Sequence, residues 1–160
     1  MKIILGIDPG MATTGFGIVK SKRKRDLVYI CHGVIKTPVG MPMGERLLLL
    51  CKRLREIIAV HKPTAIIIEQ LFFGRNAKTA MMVGQARGVV MMTAAEVHVP
   101  TFDYQGLWVK KKLSGDGHAS KKRMQQVVRK ILGLARLPRP DDAADALALA
   151  ICFLTHEKEA

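Results

Sequence analysis

The chain has 160 residues, 49% of them hydrophobic, and 26 Lys and Arg residues against 13 Asp and Glu, which gives a formal net charge of +13. This length suits one domain with a substantial core, and the hydrophobic content excludes a chain that is disordered throughout. No apolar run approaches the roughly 18 residues of a membrane helix, which excludes membrane-spanning classes. We expect a single soluble, cytoplasmic domain over residues 1–160, with no membrane partner.

Three strands open the predicted fold, at 3–8, 15–20 and 27–37, where short apolar or alternating runs are separated by turn residues. A helix over 43–61 follows, with leucine and isoleucine at helical spacing. The rest of the predicted elements are strands at 64–69 and 99–104 and helices at 79–97, 121–132 and 141–156. The order βββαβαβαα predicts an α/β domain, a five-stranded mixed sheet flanked by helices.

The cysteines limit the possible covalent and metal chemistry, and the basic residues indicate the kind of binding partner. Three cysteines without short spacing argue against a disulfide framework and against a cysteine-based zinc site. Ten basic residues fall within 107–139, where Asp116 is the single acid, and a second basic cluster covers 20–25. Charge this localised is typical of a nucleic-acid-binding face. An anionic membrane surface is the second interpretation, and charge that serves solubility alone is the third.

Acidic residues are scarce, so the positions of a few are informative. Asp8 and Glu69 each end a predicted strand, and ligands of open α/β sheets bind at such strand ends. Asp142 and Asp145 are three residues apart on the last predicted helix and therefore share one face. Asp141, at the start of that helix, is expected to cap it.

Carboxylates that converge in a strongly basic chain point to metal-assisted cleavage of phosphodiester bonds. Glu69 closes an apolar strand and should be at least half buried, and a buried carboxylate needs a partner such as a hard cation. Two Mg²⁺ ions about 3.5–4 Å apart would activate water and stabilise the leaving oxygen. The alternative, that the acids are helix caps and surface charges, suits Asp141 well and Glu69 badly.

Five short motifs are spaced along nearly the whole chain. They are Gly-Ile-Asp-Pro-Gly at 6–10, Thr-Gly-Phe-Gly at 14–17, Ile-Glu-Gln-Leu-Phe-Phe at 68–73, Val-Gly-Gln-Ala-Arg-Gly at 83–88 and Pro-Asp-Asp-Ala-Ala-Asp-Ala-Leu-Ala at 140–148. As an ordered set they resemble the RuvC family of bacterial Holliday-junction resolvases. The resemblance implies an RNase H-like fold and a homodimer that makes symmetric paired nicks in four-way DNA junctions. It also implies two Mg²⁺ ions per active site, with Mn²⁺ as a substitute, and partnership with the RuvA–RuvB branch-migration complex.

The resemblance also implies roles for individual residues. The catalytic, metal-binding acids of the family match Asp8, Glu69, Asp142 and Asp145, with Asp8 bridging both ions. Its two functional lysines match Lys110 and Lys121, which would neutralise charge that develops on the scissile phosphate. Phe72 matches an aromatic residue placed against junction bases. The full set predicted to bind DNA is Phe72, Arg75, Lys78, Lys110, Lys111, Lys112, Lys121 and Lys122.

Two segments carry further expectations. The chain departs from the family pattern Tyr-x-Pro-x-Gln-Val-Lys, because Gly106 stands in place of the proline and Trp108 in place of the glutamine. We expect this segment to be a loop that carries Lys110. Phe73, beside the proposed stacking residue, is expected in the core. On the second long helix, four methionines are expected to pack adaptably, some at a two-fold dimer interface: Met81, Met82, Met91 and Met92.

Three other functional classes were weighed. Actin-like ATPases share an Asp-x-Gly phosphate loop with a nearby Thr-Gly, but they need two such domains and a far longer chain. A non-catalytic DNA-binding module on the same fold gains nothing from four carboxylates that repel phosphates. A related RNase H-fold nuclease acting on another branched or RNA-containing substrate remains open on the sequence alone.

Overall fold

The computed structural model describes residues 1–23, 25–71 and 76–156. The strands of this part of the chain are β1 (Lys2–Asp8), β2 (Thr13–Ser21), β3 (Leu27–Lys36), β4 (Ala65–Glu69) and β5 (Thr101–Tyr104). The helices are α1 (Met43–His61), α2 (Ala77–Glu96), α3 (Gly106–Ser114), α4 (Lys121–Leu132) and α5 (Asp141–Thr155). The residues Phe72 and Arg75, predicted to bind DNA, and Phe73, predicted in the core, lie outside the described residues.

The five strands form one mixed sheet in the order β3-β2-β1-β4-β5. The first three strands are an antiparallel meander, and β4 and β5 run parallel to β1. Helix α1 connects β3 to β4 and α2 connects β4 to β5, as parallel strands require. The predicted five-stranded mixed sheet is confirmed.

Helices cover both faces of the sheet. On one face, Ile66 and Ile68 of β4 pack with Leu54 of α1 and Val90 of α2. On the other face, Ile67 joins the core made by α3, α4 and α5. A strand buried on both faces is apolar at every position, which explains the uninterrupted isoleucine run of β4. None of the helices in the described ranges is long and apolar enough to cross a bilayer.

Helix α5 lies directly against the centre of the sheet, and glycines permit this close approach. A β-carbon on Gly6 of β1 would overlap the carbonyl oxygen of Ala146, and one on Gly15 of β2 would overlap the carbonyl oxygen of Asp142. Glycine is therefore required for steric reasons in the motifs at 6–10 and 14–17. They let the first turns of α5 reach the carboxyl end of β1, where Asp8 lies.

The segment that carries Lys110 is helix α3, so the predicted loop was wrong. Tyr104 holds this helix through an edge-on contact with Trp108, with ring centroids 5.0 Å apart. Val109 of the same helix is buried in the core. Gly115 ends it at φ 83°, a left-handed conformation that glycine adopts readily. A short helix that begins on glycine and contains three consecutive lysines has little helical pattern, so tertiary packing decides its structure.

Candidate active site

Three aspartates meet at the carboxyl end of β1. Asp8 closes this strand, while Asp142 and Asp145 lie in the first turns of α5. One oxygen from each side chain lies within 4.8 Å of one oxygen from each of the others. The predicted pair on α5 therefore faces Asp8, as the three-residue spacing and the close helix–sheet contact require.

Glu69 reaches the same place from the neighbouring strand. Strands β1 and β4 are parallel with Ile7 opposite Ile68, so Asp8 and Glu69 are the next residues along the two strands. The Glu69 side chain is a hydrogen-bonding neighbour of the Asp8 carboxyl. The structure thus brings all four predicted acids together, although the group with oxygens mutually within 4.8 Å comprises only the three aspartates.

Burial and nearby negative charge disfavour the ionised forms of Asp8 and Asp145. Burial, followed by the contact with Glu69 and the charges of Asp145 and Asp142, raises the pKa of Asp8 to about 10. Burial and the charge of Glu69 raise the pKa of Asp145 to about 7, against the opposing effect of Lys110. Asp8 and Asp145 are therefore ionised together at neutral pH only when a cation compensates their charges. The all-oxygen donor set suits a hard divalent cation.

Both predicted lysines lie beside the carboxylates. Lys110 of α3 lines a small cavity with Glu69 and Asp145, and its charge lowers the pKa of Asp145. Lys121 begins α4, and its ammonium nitrogen lies 2.7 Å from Oδ2 of Asp141. This contact, together with weaker attraction to Asp142 and Asp145, raises the pKa of Lys121. The cluster of negative charge is thus bordered by a cation on each of two helices.

The prediction that Asp141 caps α5 is wrong. Asp141 is the first helical residue, Pro140 occupies the cap position, and no side chain caps the helix. The Asp141 carboxylate pairs instead with Lys121, which lowers the pKa of Asp141. The ion pair joins the start of α4 to the start of α5. A partner twenty residues away leaves no local spacing signal, which is why the sequence suggested a cap.

Arg87 of α2 is a site residue that the sequence analysis did not identify. Its guanidinium donates to the carbonyl oxygen of Glu69 at 2.9 Å and to Asp103 Oδ1 at 3.0 Å. The Arg87 side chain is only 13% exposed, and its bond to the Glu69 carbonyl is partly shielded from water. Arg87 therefore fixes the backbone at Glu69, the last residue of β4. Arg87 belongs to the Val-Gly-Gln-Ala-Arg-Gly motif at 83–88, but the sequence alone indicated no role for this arginine.

Gly106, one of the two departures from the family pattern, also bears on Glu69. A β-carbon at this position would overlap Oε1 of Glu69. The absent side chain therefore leaves room for the Glu69 carboxylate against the first turn of α3. The sequence shows glycine in place of the family's proline, but it does not show the closeness of Gly106 to the Glu69 carboxylate.

The remaining residues predicted to bind DNA are exposed around this edge of the fold. Lys111 and Lys112 lie on α3, Lys122 lies on α4 beside Lys121, and Lys78 lies in the first turn of α2. The ammonium of Lys112 lies 5.7 Å from the centroid of the Trp108 ring, a cation–π distance. The exposed lysines of α3 and α4 lie beside Lys110 and Lys121 on the same helices.

Comparison with known proteins gives a consistent result. The family model described as "Crossover junction endodeoxyribonuclease RuvC" matches residues 4–153. A protein of that name from Syntrophomonas wolfei is 48% identical over 94% of this chain and 87% of its own length. Another from Chloroflexus aurantiacus is 52% identical over 92% of this chain and 90% of its own length.

Solved structures show the same likeness. Thermus thermophilus RuvC in complex with a Holliday junction substrate superimposes with a TM-score of 0.88 at 38% identity, over 94% of this chain and 92% of that chain. The yeast mitochondrial Holliday junction resolvase Ydc2 gives a TM-score of 0.64 at 10% identity, over 94% and 78%, which is a likeness of fold alone. The predicted RNase H-like fold is confirmed. The chain belongs to the RuvC family of crossover junction endodeoxyribonucleases.

Proposed function

We propose that this protein is a metal-dependent endonuclease that resolves four-way DNA junctions by symmetric paired nicks, in recombination and repair. The observation that carries the proposal is the meeting of Asp8, Asp142 and Asp145 beside Glu69, at the end of the sheet and in a chain of net charge +13. A protein that only bound DNA would gain nothing from buried carboxylates, which repel phosphates and cost free energy to bury.

The four acids are proposed to hold two Mg²⁺ ions, with Mn²⁺ as a substitute. Such ions, when bound, activate water and stabilise the leaving oxygen of a phosphodiester. Glu69 approaches from β4 and the pair Asp142 and Asp145 from α5, so the ligands come from three rigid elements. Rigid elements keep the carboxylates in place before substrate arrives, which lowers the reorganisation that the reaction needs.

Lys110 and Lys121 are proposed to stabilise the negative charge that develops on the scissile phosphate. Lys110 already interacts with Asp145, so a phosphate held by the carboxylate site would lie near its ammonium. Asp141 orients Lys121 through their ion pair. Asp141 is therefore a positioning residue in this proposal.

Phosphate binding outside the active site is assigned to exposed lysines. Lys78, Lys111, Lys112 and Lys122 are exposed, together with Lys121. Because each phosphate contact releases condensed counterions, affinity should fall steeply with salt. Phe72 and Arg75 are proposed to contact the junction centre, Phe72 by stacking on an unpaired base.

A homodimer is proposed because a four-way junction with two-fold symmetry needs two active sites. Helix α2 supports this proposal through three exposed methionines, Met81 at 67%, Met92 at 52% and Met91 at 45%. Adaptable apolar side chains on one helix suit a protein interface. We also propose a single domain over 1–160, a cytoplasmic location and partnership with the RuvA–RuvB complex, which family membership supports.

Cleavage of matched synthetic substrates tests the function. The protein with Mg²⁺ is incubated with a four-way junction, a duplex of the same sequence, a flapped duplex and an RNA–DNA hybrid. We expect nicks at symmetric positions on two opposing strands of the junction, and little cleavage of the duplex. Faster cleavage of the hybrid or the flap would assign the site to another substrate of the same chemistry. Absence of cleavage on every substrate would contradict the proposal.

A further inference from the structure

An open cavity of about 830 Å³ lies on the α5 side of the sheet, outside the carboxylate site. Tyr29 and His32 of β3 form one wall, and the segment that connects α4 to α5, residues 133–140, forms the other. This segment contributes the side chains of Arg136 and Arg139. The volume is in the range of ligand-binding clefts and exceeds what a single bound ion needs.

The walls of the cavity are held in place before any ligand binds. On β3, the Tyr29 hydroxyl lies 2.8 Å from Nδ1 of His32, and the His32 ring also interacts with the backbone of Arg139. On the connecting segment, Gln125 donates to the carbonyl oxygen of Pro138 at 3.0 Å. A ligand would therefore meet a preformed site, which lowers the entropic cost of binding.

The charge of the cavity is positive and uncompensated. Arg136 and Arg139 are exposed, and neither guanidinium has a hydrogen bond or an ion pair with any residue in 1–23, 25–71 or 76–156. No carboxylate is among the residues that line the cavity in these ranges. Burial lowers the pKa of His32, so the positive charge of the cavity comes from the two arginines. The chemistry suits an anion with polar substituents, as in a sugar–phosphate backbone.

The cavity lies within a few nucleotides of the proposed cleavage site. Arg139 precedes Asp142 by three residues, so their Cα atoms are at most about 11 Å apart. Successive phosphates of one strand advance about 3.4 Å along the axis of a duplex. A junction arm whose scissile phosphate lies at Asp142 would thus have a phosphate within about three nucleotides of that bond close to the backbone of Arg139.

We propose that the cavity between β3 and the segment 133–140 is a second phosphate-binding site, in which Arg136 and Arg139 hold the sugar–phosphate backbone of the junction arm next to the cleaved bond. The proposal rests on the proposed function for the identity of the DNA. It adds a contact surface on the β3 side of α5, whereas the lysines assigned above lie on α2, α3 and α4. The site positions the arm and takes no part in the chemical step.

The test compares two double variants that remove the same charge. Arg136→Gln/Arg139→Gln empties the cavity of its cations, and Arg53→Gln/Arg55→Gln removes two guanidiniums from α1, on the opposite face of the sheet. Junction affinity is measured in EDTA from low to high salt. For the cavity variant we expect the slope of log K against log salt to become shallower by about 1.8, since each phosphate contact contributes roughly 0.9. If the lines for parent and variant meet at 1 M salt, that slope gives roughly an eightfold loss of affinity per arginine at 0.1 M.

Two further measurements make every outcome decisive. Arg136→Lys/Arg139→Lys keeps the charge and should keep most of the slope, which separates lost contacts from misfolding. In single-turnover cleavage, the Gln variant should need a higher enzyme concentration for half-maximal rate, by about the same factor as its loss of affinity. An unchanged slope, or an equal change in the α1 variant, would overturn the proposal, and so would a hundredfold loss of rate with unchanged binding. If the parent protein cuts no junction, the proposed function is overturned, while the salt dependence of binding still tests the cavity. If the parent protein does not bind junctions, the proposed function and the cavity proposal are both overturned.

Discussion

Replacing Asp8 with asparagine is expected to abolish nicking and at the same time to stabilise the metal-free protein. The carboxyl of Asp8 has its pKa raised to about 10 by burial and by three neighbouring acids. The metal-free folded protein therefore keeps this proton at neutral pH, whereas the unfolded chain loses it above about pH 4. Since the folded state binds the extra proton, its stability falls as pH rises from about 4 towards 10.

The size of this effect follows from the same shift. Each pH unit between the two pKa values costs about 1.4 kcal/mol, so at pH 7 the penalty reaches at most about 4 kcal/mol. Asparagine carries no such penalty, and its amide can donate to Glu69 as the protonated Asp8 does. In EDTA at pH 7.5, Asp8→Asn should therefore raise Tm by roughly 5–15 °C, at about 2–4 °C per kcal/mol for a chain of this size. Near pH 4 the difference should vanish.

Thermal unfolding and cleavage are measured on the same preparations. Asp8→Asn should lose at least two to three orders of magnitude in single-turnover cleavage, because the proposed metal site would lose a charged oxygen ligand and with it several kcal/mol of charge stabilisation in the transition state. Its junction binding in EDTA should hold, since the Asp8 carboxyl is already uncharged in the metal-free folded protein. Asp26→Asn replaces a carboxylate in an exposed turn with the same amide and should change neither Tm nor cleavage. A variant Tm at or below that of the parent at pH 7.5, or cleavage within tenfold of it, would refute the reasoning.

Three further predictions concern DNA contacts and the position of Glu69. Neutralising Lys111 and Lys112 should flatten the salt dependence of junction binding in EDTA, and an unchanged slope would place the DNA face elsewhere. Arg87→Ala and Gly106→Ala should each raise the Mg²⁺ concentration for half-maximal cleavage and leave metal-free binding intact, because both displace Glu69; unchanged Mg²⁺ dependence of both variants would contradict that role. Phe72→Ala should reduce cleavage of intact junctions more than cleavage of a pre-opened substrate, as stacking contributes roughly 1–3 kcal/mol per base, whereas equal losses would contradict stacking.

Elements with a strong period were predictable from the sequence. Strand β4 is an unbroken apolar run and α1 has a regular apolar stripe, so both fall within a residue or two of their predicted bounds. The four acids were predictable for a related reason. Asp8 and Glu69 end strands that pair side by side, and Asp142 and Asp145 share a helix face. Local pattern and strand topology together bring these side chains to one place.

The features that the sequence did not predict depend on contacts between distant segments. Helix α3 exists because Trp108 packs on Tyr104 and Val109 enters the core, and neither contact has a periodic signature. The pairing of Asp141 with Lys121 crosses from one helix to another. Arg87 acts on Glu69 from across the α2–sheet interface. Each of these interactions fixes a residue of the candidate site. The sequence therefore predicts which residues form the site better than it predicts their geometry.

Helix α5 explains how the fold tolerates a cluster of carboxylates that repel one another. Its first turns carry the acids, and the rest of the helix is almost entirely buried against the sheet. Two of its large side chains, Ile151 and Leu147, are fully buried, and the burial of each contributes roughly 1.5–3 kcal/mol to the stability of the fold. This burial offsets the few kcal/mol that the metal-free carboxylates cost. Because Gly6 and Gly15 set how closely the helix approaches, a β-carbon at either position would weaken the core and displace the acids together.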